Sequence, residues 1–240
     1  MKIFSRIIQE ARNVAYALCA RFHSAKSSVQ NDVPYVCQFA TPKSPELSLT
    51  NELKAIDDPH WENTGASSPE RYAEWAYTMC GMSSTLMALK FFRKDPGLKV
   101  AQLAEDALAH GVYARDRTGL SDMKYRPYSA WVRKYGITAK IYTRLNLQGI
   151  RYALSRGRLA IVSVNPNIRG YATASANQKG GHLVLVTGYD LSRETISINN
   201  PSGFESSKTQ KDHSVTIRDF LDHYAGRGIV LSPNHQESAS

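Results

Sequence analysis

The chain is poor in the features that mark several protein classes. Its three cysteines, Cys19, Cys37 and Cys80, are odd in number and too few for a disulfide framework. Long apolar runs are missing. Pieces such as Leu183–Val186 are the longest, far short of the roughly 18 residues of a membrane span. No repeat of solenoid or propeller period is visible. Neither Cys-x-x-Cys nor His-Glu-x-x-His occurs, so spacing offers no zinc site. Gly203–Thr209 lacks the second glycine and the framing strand and helix of a phosphate loop. No metal or organic cofactor is therefore expected. Acid is scarce at the N-terminus, where Glu10 is the one carboxylate before Lys26.

What is present suits a globular protein. Hydrophobic residues make up 42% and charged residues 21% of 240, and a chain this long buries about 70–75% of its unfolded surface without staples. Thirty Lys and Arg against 21 Asp and Glu give a net charge of +9. Such a balance suits an acidic protein, an anionic membrane surface or nucleic acid. The basic residues are scattered, however, and Arg151 to Arg158 reads as a solvated helix face. The 13 tyrosines follow no basic-aromatic strand pattern. Nucleic acid is not the expected partner.

Three stretches follow. Residues 1–31 read as an N-terminal amphipathic helix and linker, with Ile3, Ile7, Ala11, Val14 and Leu18 at helical spacing and arginines between them. Gln9, Glu10, Arg12 and Asn13 interrupt the apolar core that a secretory signal requires. That favours a cytoplasmic setting, with an organelle-targeting N-terminus as the alternative, and a helix that packs on the domain, on a partner or on a membrane surface. Residues 32–231 form one domain, and 232–240 a disordered tail. From Thr41 to Ser68 the chain is irregular and rich in Pro, Ser, Asn and Asp, which suits a functional loop bordering or covering a cleft.

Periodicity predicts helices at about 79–92, 98–110, 127–135, 147–156 and 216–225. Short β-branched runs predict strands at 159–164, 182–187 and 195–198, with Asp190–Arg193 turning the second into the third. Helices first and strands later argue an α+β fold.

Cys80 stands at the start of a buried helix, before Gly81. A helix N-terminus favours a thiolate and offers an N–H to an oxyanion, although a cysteine there also suits a small buried hydrophobe. His182 opens an apolar strand after Gly180-Gly181, where an imidazole has a rigid platform and a substrate backbone has room. Antiparallel pairing with the next strand brings Asn200 close to His182, and Asn200 before Pro201 also suits a turn. Cys37 reads as buried.

These residues resemble the C39-like cysteine peptidases, part of the papain-like superfamily. The resemblance rests on Val33-Pro34-Tyr35-Val36-Cys37-Gln38, Cys80-Gly81, Gly157–Val162, Gly181–Asp190 and Ile198-Asn199-Asn200-Pro201. It implies a papain-like fold in which a helical half carries the cysteine and an antiparallel sheet half carries the histidine. It further implies Cys80 as nucleophile, His182 as base, Asn200 as the group orienting the imidazole and Gln38 as an oxyanion donor, acting on a peptide or protein substrate. Three departures stand out: Met82 where many relatives have Pro, Asn200 where Asp is usual, and a long interval between Gln38 and Cys80. They sustain a second expectation, a papain-like binding module with little or no catalysis that docks through its basic N-terminal helix.

Overall fold

The computed structural model describes residues 2–22 and 25–234. Residues 235–240 of the expected tail lie outside the described residues. The ordered chain runs slightly past the expected boundary, since its last strand ends at Pro233.

The helical half contains α1 (Lys2–Arg21), α2 (Ser44–Leu49), α3 (Pro69–Ala76), α4 (Cys80–Phe91), α5 (Val100–Ala109), α6 (Tyr125–Trp131) and α7 (Leu147–Ser155). Among these, α4 is the core helix, with every residue from Cys80 to Leu89 buried. Apolar side chains nearly surround it, as a helix enclosed on all sides requires. The irregular chain after Thr41 is more ordered than its composition suggests. It holds α2 and two short 3-10 turns, fastened by Tyr72, whose hydroxyl bonds Asp58 (3.3 Å) and accepts the Ala40 N–H (3.1 Å).

The first strand is β1 (Ser27–Val29), and β2 (Arg115–Asp116) and β3 (Gly119–Leu120) form a separate two-strand ribbon. The sheet half continues with β4 (Ile137–Tyr142), β5 (Leu159–Val164), β6 (His182–Asp190), β7 (Thr195–Asn199), β8 (His213–Thr216) and β9 (Tyr224–Pro233), and α8 (Ile217–His223) precedes β9. Strand order in the main sheet is β4-β9-β5-β6-β7-β8, antiparallel throughout, and β1 pairs with the far end of β6. All six residues of β5 are buried. A run apolar but for Ser163 marks a strand covered on both faces, and both α4 and α7 pack against it.

The predicted helices and the three predicted strands all occur. β1 forms where a linker is expected: Ser27 and Ser28 have no strand-like side chains, and the strand is made by backbone bonding to β6. The expected last helix is shorter, ending at His223 where β9 begins without a loop.

Candidate active site

The sheet half presents His182 as the first residue of β6, and the helical half presents Cys80 as the first residue of α4. The two elements are in direct contact. The Ser84 hydroxyl donates to the Leu183 carbonyl (3.5 Å), and the backbone N–H groups of Leu183 and Gly81 are directed to the Cys80 sulfur. Gly81 makes this approach possible: a Cβ there would lie 2.7 Å from Met123 Sδ and 3.0 Å from Leu183 Cδ1. Cys80 and His182 line one cleft of about 320 Å³ together with Thr78, Asp122, Met123, Tyr125, Ser163, Gly181, Leu183 and Arg227.

The histidine is held from behind. Its Nε2 lies 2.8 Å from Asn200 Oδ1 and 3.3 Å from the Ser202 hydroxyl. The Ser202 backbone N–H donates to that same Asn200 oxygen (3.2 Å). An amide NH2 could not accept it, so the oxygen side of Asn200 faces the ring. Nε2 must then carry the proton, and Nδ1 keeps the lone pair. Asn200 is completely buried one residue beyond β7, with its own N–H bonded to Gln210 O (2.8 Å). Its Nδ2 has no partner.

Gln38 is placed differently from the expectation. It is buried, its Nε2 donates to the Ala76 carbonyl (2.8 Å), and its Oε1 is unpartnered. It does not line the cleft. The bond to Ala76, at the end of α3, fixes the turn that leads into Cys80. The Thr41–Ser68 stretch does not border this cleft either, nor does any residue of 43–75. Trp75 is buried and donates its indole N–H to Glu105 (2.8 Å), while Trp61 packs against the core. Asp122, Met123, Tyr125 and Arg227 line the cleft instead.

Electrostatics set the resting protonation. Burial is the main force pushing the Cys80 thiol up, opposed by the N–H groups of Leu183 and Gly81 and by the charge of Arg169. Burial, followed by the Arg169 charge, lowers His182 to about 3, against the favourable bond to Asn200. Both shifts run towards the uncharged thiol and the uncharged imidazole. Arg169 itself is 4% exposed; its Nε donates to Pro166 O (2.9 Å) and its Nη1 has no partner. A buried guanidinium without a carboxylate is costly, and burial lowers it to about 10. Sequence reasoning missed Arg169, because nothing local distinguishes it from other scattered arginines. Cys37, expected to be buried, is half-buried; its thiol lies near the Thr41 and Pro201 carbonyls (3.4 and 3.5 Å), and desolvation pushes it up to about 12. Among the described residues no cluster of three His, Cys, Asp or Glu side chains could hold a metal.

A family profile described as the Peptidase_C39 like family matches residues 26–230. The chain belongs to this family. A solved structure described as a C39-like peptidase from Bacillus anthracis is 14% identical, covers 88% of this chain and 99% of its own, and superposes with a TM-score of 0.51. That likeness concerns the fold, which is papain-like in this C39-like chain too. Two others superpose less closely. The double glycine motif protease of an AMS/PCAT transporter, solved with its leader peptide, is 19% identical over 66% of this chain and 86% of its own (TM-score 0.43). The peptidase domain of Streptococcus ComA, a bifunctional ABC transporter, is 16% identical over 65% and 92% (TM-score 0.42). No functionally curated protein matches the sequence.

Proposed function

We propose that this C39-like protein is a thiol hydrolase that cleaves a peptide or amide bond through an acyl-enzyme on Cys80. The observation carrying the reading is the buried Asn200–His182 bond, which leaves Nδ1 as the basic nitrogen in the cleft that Cys80 lines. In this reading the thiol proton passes to His182 Nδ1 as the sulfur adds to the carbonyl carbon. The Cys80 N–H, left unpaired by the first turn of α4, supports the tetrahedral oxyanion. His182 then protonates the departing amine, a thioester remains, and water attacks it with His182 again as base. Asn200 keeps the ring in the productive tautomer. Gln38 acts from behind, holding the Ala76–Cys80 turn. Deamidation and transpeptidation pass through the same acyl-enzyme and differ only in what leaves and what attacks.

The test compares wild type, Cys80→Ala and His182→Ala on a mixture of peptides from a digested proteome, with new termini read by mass spectrometry. New termini from wild type alone support the reading. Identical patterns from wild type and Cys80→Ala, together with a Cys80 that resists a peptide-like thiol electrophile, would establish the binding module instead.

A further inference from the structure

Helix α1 is mounted with its polar side inward. Gln9 Nε2 donates to the Ile141 carbonyl (2.8 Å), Asn13 Nδ2 to Thr143 Oγ1 (2.8 Å) and the Tyr16 hydroxyl to the Gly149 carbonyl (3.1 Å). Gln148 Nε2 in turn donates to Ala20 O (3.2 Å). Positions 9, 13, 16 and 20 share one side of a helix of 3.6 residues per turn.

Positions 7, 14 and 18 share the opposite side, and that side is apolar and open. Ile7 is 59% exposed, Val14 57% and Leu18 54%, with Ile8 (57%) and Phe22 (85%) beside them. Single exposed apolar residues are ordinary, whereas a contiguous stripe of them marks a surface that meets something.

The border of the stripe is cationic. Arg6, Arg12 and Arg21 are exposed on the helix, and Arg144 beside it is 79% exposed. The helix carries a single carboxylate, Glu10, 3.7 Å from Arg144. An apolar stripe edged by guanidinium groups complements an anionic bilayer, whose acyl boundary takes the one and whose phosphates take the other. A second copy is a poorer occupant, because a two-fold contact would set arginine borders against each other. Among the described residues no helix is long and apolar enough to cross a membrane. The geometry suits lying in the interface.

We propose that α1 docks flat on an anionic lipid surface, with Ile7, Val14, Leu18 and Phe22 in the acyl boundary and Arg6, Arg12 and Arg21 at the headgroups. The proposal does not depend on catalysis at Cys80.

Co-sedimentation of the full chain tests it, using phosphatidylcholine vesicles with and without about one quarter phosphatidylglycerol. The expected result is association with the anionic vesicles alone, weakened by salt. Val14→Glu/Leu18→Glu should lower it by at least about tenfold. Arg12→Glu/Arg21→Glu should also lower it with the apolar stripe intact. These side chains point to solvent, so the melting temperature and Cys80 labelling should stay at wild-type values. Equal binding to neutral vesicles, or no vesicle binding, would overturn the proposal. A wild-type dimer that Val14→Glu/Leu18→Glu converts to monomer would assign the face to a second copy. Should that variant not fold, the lipid and salt dependence of wild type and the charge-reversal variant still decide.

Discussion

Asn200 supplies an amide where a carboxylate would do more for an imidazolium. Asn200→Asp keeps an oxygen for both His182 Nε2 and the Ser202 N–H, and adds a negative charge that favours protonated His182. The pair should then reach its thiolate–imidazolium form at lower pH. Iodoacetamide labelling of Cys80 at pH 6 is expected to rise above wild type in Asn200→Asp and to fall in Asn200→Ala, with site assignment by mass spectrometry. In wild type the labelling rate should climb with pH through the alkaline range, because burial keeps the proton on sulfur. Cys37, raised to about 12, is the internal control that should stay unlabelled. Arg169 makes a separate prediction. Its charge opposes protonated His182, so Arg169→Gln should let the His182 imidazole take up its proton at higher pH, read from its NMR signal. The whole pH profile of that signal should move to higher pH. A purely structural arginine would change the melting temperature and leave the profile where it was.

At the scale of elements, the turn after β7 holds Asn200. The Gly203 N–H donates back to Asn200 O (3.0 Å), and a Cβ on Gly203 would penetrate the Thr209 carbonyl oxygen. That obstacle is backbone and cannot swing aside. Gly203→Ala should therefore displace the 200–210 turn, costing about 1–3 kcal/mol in chemical denaturation and most of any turnover. Unchanged turnover in a folded Gly203→Ala protein would remove this turn from the mechanism.

Elements of this kind differ in how clearly the sequence shows them. α4, β5 and β6 are legible because burial on all sides imposes near-continuous apolar runs. Cys80 and His182 are legible because each opens such an element, and Asn200 because it follows the strand that pairs with β6. β9 is not: Gly226 and Gly228 interrupt it, and it follows α8 with no punctuating turn. Arg227 is lost with it. Gln38 shows the limit of a motif, since position in the chain does not say which carbonyl an amide meets.

On the scale of the whole molecule, one buried imidazole shapes the response to acid. An unfolded histidine takes its proton near pH 6.5, whereas folded His182 resists until about 3. Between these values the unfolded chain binds more protons, so stability rises with pH across the window and falls as pH drops through it. Denaturant midpoints measured from pH 7 to pH 4 should decline, and the decline should be shallower in His182→Gln. An equal slope in both would place the acid sensitivity elsewhere.

The position of β9 has a further consequence, one of timing. This strand, Tyr224–Pro233, comes last among the strands in chain order yet sits between β4 and β5 in the sheet. A nascent chain on the ribosome that has exposed everything up to His223 has α4 with its thiol and β6 with its imidazole, but a gap where the sheet must close. Arg227, on the wall of the cleft, has not yet emerged. The Cys80 thiol is therefore made early and given its finished surroundings late. A chain interrupted during translation would carry Cys80 and His182 without the assembled cleft.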